Sequence, residues 1–217
     1  KIHPLRCGLG LGFLLELPHG LYLIDSGSPG EQGVVLAKMK ALGRRDLKLI
    51  WITHAHYDHY GSAAALRALT GAQIGVHPAD AGSMVAGLSP LGTTHAYGFL
   101  LARLLPLVMR LKPLPPTIPD FTLEDGETLE SFGLEATILH TPGHTPGHTS
   151  VLVGETAFAA DLLANVYWKR PQFLLAMDWS QLPGSLARLQ ASNPEWVYTG
   201  HSKRPMPGKI LQQIKAQ

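Results

Sequence analysis

Thr53-His54-Ala55-His56-Tyr57-Asp58-His59 is the most informative stretch of this sequence, because it places four candidate metal ligands side by side. The stretch begins where the run Leu47–Thr53 ends. This run is apolar and β-branched and predicts a short buried strand. Imidazole and carboxylate groups are preferred ligands of zinc and related divalent cations. Without a metal, the imidazoles would repel one another when protonated and would cost free energy when buried unpaired. The stretch therefore predicts a metal site at the end of a strand.

The spacing of these ligands indicates two metals rather than one. Alternate residues of an extended segment point to the same side. His54 and His56 therefore face one way, whereas Asp58 and His59 turn away on the loop that follows. We expect this divided set to hold two divalent cations, zinc in the first instance, with manganese and iron as alternatives.

Four other predicted strand ends and loops each carry a histidine or an aspartate. A carboxylate at such a place can hold a ligand imidazole through its second nitrogen, although an aspartate is also an ordinary turn residue. The Pro-Gly pairs of His140–His148 predict a rigid loop that aims one histidine. The four residues are Asp25, His144, Asp161 and His201.

The composition of the chain excludes several classes of protein. Its 217 residues fit one domain. Hydrophobic residues make up 45% of the chain and charged residues only 16%, which indicates a large core and argues against disorder. A net charge of +2 without a basic cluster argues against a nucleic-acid partner. No apolar run approaches the roughly 20 residues of a membrane span. Cys7 is the single cysteine, so no internal disulfide can form.

The pattern of elements predicts an α/β fold in which two sheets pack face to face with helices outside. We expect residues 1–217 to form a single domain. The predicted strands are 12–17, 21–25, 47–53, 73–76, 127–132, 134–139, 150–153, 156–160 and 196–199. The predicted helices are 31–42, 59–69, 78–86, 97–111, 179–191 and a short one from about 207.

The order of the motifs resembles that of the metallo-β-lactamase superfamily. The matching pieces are LIDSG around Asp25, THAHYDH at Thr53–His59, HTPGHTPGH at His140–His148, FAAD ending at Asp161 and YTGH ending at His201. Together they cover nearly the whole chain. The resemblance implies a four-layer αββα sandwich of two mixed sheets with helices outside, and a metal centre between the sheets.

The resemblance also implies a role for each site residue. The implied ligands are His54, His56 and His144 for the first metal, Asp58, His59 and His201 for the second, and Asp161 as the bridge. Asp58 would also orient the nucleophile and assist proton transfer as the catalytic residue. Asp25 would hydrogen-bond a ligand histidine, and His148 would support the site from behind the ligands. His140 competes with His144, although a solvent-facing strand-end histidine is its simpler interpretation.

Two such cations can share one water and lower its pKa to about 7, which generates a bridging hydroxide. We therefore expect a binuclear hydrolase of a small ester, thioester, lactone or amide. Asp161 resembles the bridging residue of glyoxalase II and lactonases rather than the zinc β-lactamases, whereas Ala164 stands where lactonases often have tyrosine. The alternatives are a mononuclear iron oxygenase similar to persulfide dioxygenases and, second, a β-lactam hydrolase.

Residues outside the ligand motifs suggest how the substrate is bound. The leucine- and proline-rich segment 88–119 is a candidate insertion that packs on the core, forms a lid or pocket wall for apolar groups, or mediates a homodimer or membrane-surface contact. Tyr167 and Trp168 are candidate pocket residues. Lys203 is a candidate for binding a substrate carboxylate or phosphate, with a solvated surface cation as the other interpretation. We expect a small-molecule substrate as the partner.

The expected location is the cytoplasm, because the chain has one thiol, no disulfide and no signal-peptide pattern. The sequence starts at Lys1, which fits a trimmed or processed N-terminus.

Overall fold

The computed structural model describes residues 1–94, 98–164, 170–172 and 174–215. The strands are β1 Ile2–Cys7, β2 Gly10–Leu17, β3 Gly20–Ile24, β4 Leu47–Ile52, β5 Gln73–Val76, β6 Thr93–Thr94, β7 Phe121–Thr122, β8 Thr137–His140, β9 Thr149–Val153, β10 Thr156–Phe158, β11 Leu175–Ala176, β12 Trp196–Thr199 and β13 Ser202–Pro207. The α-helices are α1 Gln32–Ala41, α2 Tyr57–Tyr60, α3 Ala63–Thr70, α4 Pro78–Val85, α5 Gly98–Leu111, α6 Leu182–Ala191 and α7 Gly208–Leu211. Single 3-10 turns span Glu130–Phe132 and Ala160–Leu162.

The strands form two mixed sheets and one short ribbon. The first sheet has the order β1-β2-β3-β4-β5-β7, antiparallel from β1 to β3 and parallel from β3 to β7. The second has the order β13-β12-β10-β9-β8, in which only β10 and β12 are parallel. The ribbon pairs β6 with β11.

The side chains between the two sheets form one apolar layer. Alternate residues of β2 and β4, such as Phe13 and Trp51, face inward and pack with Val151 and Phe158 of the second sheet. The rings of Phe13 and Phe158 lie 5.2 Å apart. Because successive side chains of a strand point to opposite faces of its sheet, each strand contributes both to this layer and to the outer face of its sheet.

Helices cover the outer face of each sheet. On the first sheet, Leu23 and Ile50 pack with Val35 of α1 and Leu66 of α3. On the second sheet, a separate cluster joins strand residues to α6 and α7. Its members include Ala157, Val197, Leu186, Leu189 and Leu211. The layers thus run helix, sheet, sheet, helix, and the expected αββα sandwich is confirmed.

Several predicted elements differ from the structure. The strand predicted at 127–132 is wrong: it is a loop and the Glu130–Phe132 turn, which Gly133 ends with a φ of 85°. The helix predicted at 59–69 is two helices, α2 and α3. The helix predicted from 179 begins at Leu182, because the Asp178 carboxylate accepts hydrogen bonds from Ser180 and holds a turn there.

The sequence patterns missed β1 and β13, each of which is an edge strand of one of the two sheets. Pro4 lies in β1, and Pro205 and Pro207 lie in β13. Proline is tolerated at a sheet edge because one backbone face needs no partner there, so its usual meaning as a strand breaker misleads.

Helix α5 occupies the middle of segment 88–119 and contains Pro106. Leu104, Leu107 and Leu111 are exposed on it. No helix in the described part of the chain is long and apolar enough to cross a bilayer. The lid and homodimer readings of this segment stay predictions.

Candidate metal centre

The candidate site residues of the first sheet lie just after the ends of β3 and β4. Asp25 follows β3 with a φ of 59°, a left-handed conformation that aspartate tolerates better than most residues. Its Oδ1 accepts the backbone N–H of Thr53 at 2.8 Å, and its Oδ2 accepts Nδ1–H of His59 at 2.8 Å. His54 follows β4, and His56 caps the short helix α2. The buried Asp25 thus ties two strand ends together.

The second sheet faces these groups with three more. His144 lies in the loop between β8 and β9, Asp161 in the 3-10 turn after β10, and His201 in the turn between β12 and β13. Ala160 has a φ of 42°, a strained value for alanine that sets the direction of the next residue. The two sheets are joined beside the centre, because the N–H of Thr149 donates to the carbonyl of Thr53 at 2.8 Å.

The seven predicted ligands converge into one cluster, in which Asp58 and His201 are half-buried and the other five are buried. Asp161 is central: its oxygens lie 3.6 Å from Nε2 of His59, 3.6 Å from Nε2 of His144 and 3.2 Å from Nε2 of His201. Asp58 Oδ2 lies 3.8 Å from Nε2 of His59 and 3.7 Å from Nε2 of His201. Candidate ligand atoms within 4.8 Å of one another form three groups, which are His54 with His56 and His144, His54 with His59 and Asp161, and Asp58 with His59 and His201.

The donor atoms of the cluster fit a metal. Nε2 of His54, His59 and His144 and Oδ1 of Asp161 are buried without a hydrogen-bond partner among the described residues. Buried polar atoms are rarely left unpaired, since each costs about 1–3 kcal/mol. Several such atoms pointing at one another indicate a bound cation that satisfies all of them.

Backbone carbonyls fix the orientation of three ligand imidazoles. A ring nitrogen that faces a carbonyl oxygen must carry the proton, so the other ring nitrogen keeps its lone pair for a metal. The pairs are His144 Nδ1 with Leu175 O at 3.1 Å, His56 Nε2 with Pro90 O at 2.8 Å, and His201 Nδ1 with Leu9 O at 3.2 Å. His144 and His201 therefore offer Nε2, and His56 offers Nδ1.

Burial and charge shift the pKa values of the cluster in opposite directions. Burial lowers the pKa of His54 and His144 well below 6.5, which keeps both imidazoles neutral. Burial also opposes the charge of His59, but the nearby carboxylates, with Asp25 first, raise its pKa to about 10. Burial also opposes the charge of His201, but the Asp161 and Asp58 carboxylates together raise its pKa to about 9.

Asp80, which sequence reasoning did not single out, fastens the two main ligand loops to each other. It is buried in α4, and its carboxylate accepts the N–H of Ala55 at 2.8 Å, the hydroxyl of Thr145 at 2.7 Å and the N–H of Gly147 at 2.7 Å. A Cβ at Gly147 would lie 2.7 Å from this carboxyl group, so only glycine fits. A lone aspartate in a helix gives no signal of this role in one sequence.

Gly200 allows the last ligand turn to pass close to the centre. A Cβ there would lie 2.2 Å from Oδ1 of Asp161 and 2.9 Å from Cε1 of His59. The glycine before His201 is therefore required by close approach rather than by a turn conformation.

A cavity of about 280 Å³ opens onto the cluster. One side is formed by the ligands, including His56, Asp58 and Asp161. The other walls are largely leucines, and their described members are Leu9, Leu91, Leu163, Leu174 and Leu175.

The family follows from this fold and this ligand arrangement together with the sequence. The family model of the metallo-β-lactamase superfamily matches residues 5–201. The chain belongs to this superfamily. The superfamily resemblance and the expected class, a metal-dependent hydrolase, are thereby confirmed.

Individual members of the metallo-β-lactamase superfamily resemble the chain to different extents. The probable metallo-hydrolase YflN of Bacillus subtilis is 26% identical over 96% of this chain and 86% of its own length. A hydroxyacylglutathione hydrolase of Pseudomonas aeruginosa is 32% identical over 75% of this chain, which spans only 50% of that enzyme. The structure of TTHA1623 in a di-iron-bound form superposes with a TM-score of 0.71 at 28% identity, covering 98% of both chains.

The stretch His140–His148 contains three histidines, and the structure separates them. His144 lies among the ligand groups, whereas the ring of His140 stacks on that of His77 at 4.1 Å, away from the cluster. His148 is buried with its ring 5.1 Å from that of His54, and its Nδ1 faces the carbonyl of Thr141 at 3.0 Å.

The candidate substrate residues have different placements. Lys203 is exposed on β13 and is absent from the described lining of the cavity. Tyr167 and Trp168 lie outside the described residues.

Proposed function

We propose that the protein is a binuclear metal-dependent hydrolase of a small ester, thioester, lactone or amide. The observation that supports this most strongly is the convergence of the buried imidazole nitrogens and Asp161 without other partners. Two histidines with a purely structural role would be expected to hydrogen-bond, and would not leave so many buried ligand atoms unpaired at one point.

Two cations account for the ligand groups better than one. The group of His54, His56 and His144 shares no member with the group of Asp58, His59 and His201. Asp161 lies between them, within 3.6 Å of His59 and of His144, and so suits a bridging carboxylate. Imidazole and carboxylate donors suit zinc, with manganese and iron as alternatives.

When bound, two divalent cations would lower the pKa of water to about 7 and polarise a substrate oxygen. The protein's own groups position the reactants. The Asp58 carboxylate faces the cavity beside His201 and can accept a proton and orient the nucleophile. Leu163 and Leu175 exclude bulk water from one side, and Asp25 keeps His59 in one tautomer. No serine or cysteine nucleophile is required.

The test is metal content per chain, measured by elemental mass spectrometry on protein purified without chelator or added metal. About two zinc or manganese ions per chain, with hydrolysis of at least one ester, thioester, lactone or amide, supports the proposal. About one iron per chain with oxygen uptake on a persulfide would overturn it in favour of the oxygenase alternative. Hydrolysis confined to β-lactams would restrict the substrate to that second alternative.

A di-iron centre would also be consistent with two-metal hydrolysis, since the similar protein TTHA1623 has been solved with two irons. The deciding readout is therefore metal stoichiometry together with oxygen consumption, rather than the identity of the metal alone.

A further inference from the structure

The cavity beside the ligand cluster is asymmetric in its chemistry. Its inner side carries the predicted ligands, which would contact the reacting group of a substrate. The rest of the described lining is largely leucine, and Leu163 and Leu175 in it are only 1% and 6% exposed. A substrate that reaches the ligands must therefore lay another part of itself against leucine.

Outside the ligand cluster, the polar side chains that line the cavity already have partners. Ser89 accepts the backbone N–H of Tyr57 at 3.0 Å through its Oγ. Gln172 donates from Nε2 to the carbonyl of Asp161 at 3.0 Å and accepts the N–H of Leu174 through Oε1 at 3.0 Å. These bonds hold the wall in place and leave the leucines as the main contact surface for a substrate.

Apart from the candidate ligands, the described lining of the cavity holds no side-chain cation that could pair with an anionic substrate tail. The described lining residues include Asp58 and Asp161 but no lysine or arginine. The nearby guanidinium of Arg6 donates to the carbonyls of Leu9 and His201, each at 3.1 Å, and so braces the rim from outside. Recognition of a carboxylate in a buried site needs a cation or several N–H donors.

We propose that this cavity binds the apolar acyl group of an uncharged ester or thioester. The inference rests on the proposed function and names the substrate class of the same site. The acyl carbonyl would reach the ligand cluster while the hydrocarbon part lies along Leu91, Leu174 and Leu175. Burial of hydrocarbon supplies the binding free energy, and a volume of about 280 Å³ limits the length of the group.

The first experiment measures kcat/KM of the metal-loaded protein on p-nitrophenyl esters from acetyl to decanoyl. We expect a rise of about fourfold per added methylene until the cavity is full, followed by a decline. The matching series with a constant acetyl group and a lengthening alkoxy group should stay flat. A flat acyl series, or a gain confined to the alkoxy series, would overturn the proposal.

A second comparison separates charge from chain length. The same acyl group is offered as a thioester of glutathione, which is anionic, and of an uncharged thiol. Equal or better kcat/KM for the uncharged thioester supports the proposal. A preference of tenfold or more for the glutathione thioester would contradict it.

The variant Leu91→Trp fills the cavity at its half-buried rim and should move the optimum to shorter acyl groups. Leu69→Trp is the matched control, because Leu69 is 62% exposed on α3 and does not line the cavity. Leu69→Trp should leave every rate unchanged. A metal content and an unfolding midpoint equal to those of the unsubstituted protein show that folding and the ligand cluster are intact in both variants. An unchanged length profile in Leu91→Trp would count against the assignment.

A binding measurement on metal-free protein distinguishes this inference from the proposed hydrolysis. Methyl ketones from acetone to octan-2-one cannot be hydrolysed. Isothermal titration should show that their Kd falls with chain length, and this dependence should be absent in Leu91→Trp. Binding with this dependence but no hydrolysis would overturn the proposed function and leave the cavity assignment standing. Hydrolysis without length-dependent binding would overturn the cavity assignment and leave the proposed function standing.

Discussion

Asp25 and His59 form a buried hydrogen bond in which Nδ1 of the imidazole lies 2.8 Å from Oδ2 of the carboxylate. The carboxylate also accepts the N–H and hydroxyl of Thr53, so its position is fixed from two directions. The bond holds the proton on Nδ1 and turns the lone pair of Nε2 toward Asp58 and Asp161. The residue that follows β3 thus controls a candidate ligand in α2.

Asp25→Asn should weaken metal binding without removing a ligand. The amide accepts more weakly than the carboxylate, and one of its orientations presents N–H to the imidazole. Loss of such a supporting partner typically lowers metal affinity about 10–100-fold. Competition with a chromogenic chelator measures the change. The control is Asp46→Asn, because Asp46 pairs with Arg44 at the surface and should leave the affinity unchanged.

His144→Ala should lower metal content and abolish hydrolysis, whereas His140→Ala should do neither. Only His144 belongs to the candidate ligand groups, while His140 donates from Nε2 to the carbonyl of Pro146 and stacks on His77. Elemental analysis of the two purified variants checks the prediction. Normal metal content in His144→Ala would refute its role as a ligand, and loss of metal in His140→Ala would make that residue the better candidate.

Asp80→Asn should destabilise the protein and reduce metal content together. The three groups around the carboxylate are all donors, so an amide N–H must face one of them. Leaving one buried donor unpaired costs about 1–3 kcal/mol in the free energy of unfolding. Urea unfolding of metal-free protein gives this value. Asp178→Asn, at a surface turn, should cost much less, and equal losses would show that Asp80 has no special role.

The metal-free protein should be most stable near pH 6.5. The pKa values of His54 and His144 lie well below 6.5 and that of His148 at about 3, so unfolding takes up protons and stability falls as the solution is acidified below 6.5. The raised pKa values of His59, about 10, and His201, about 9, have the opposite effect, because their contribution is lost as the pH rises through those values.

Urea midpoints measured across the pH range with chelator present test this prediction. Added metal should move the maximum to higher pH, since it competes with protons for the same imidazole nitrogens. A metal-free maximum at pH 9 or above would contradict the opposing shifts.

The sequence predicted the positions of the candidate site residues in more detail than it predicted the bounds of the helices and strands. Ligand motifs are local, so HxHxDH and the glycine-rich turns near His144 and His201 mark their positions without any knowledge of packing. Regular buried strands such as β5 and β12 were also predicted with the bounds that the structure has.

What could not be predicted depends on tertiary contacts. Asp80 acts through groups from two other parts of the chain, and nothing in its neighbours reveals them. The edge strands β1 and β13 contain proline and pair on one side only, so local propensity points away from them. The exposed Lys203 shows the converse case, in which a basic residue next to a ligand motif lies away from the described cavity lining.

The candidate ligands come from both sheets, with His54 in the first half of the chain and His201 near its end. A cation held between them would act as a cross-link that closes a loop over most of the sequence, much as a disulfide does. Neither sheet alone would assemble the complete ligand set. Metal uptake during refolding would therefore measure the docking of the two sheets, because a complete ligand set would exist only after they have assembled.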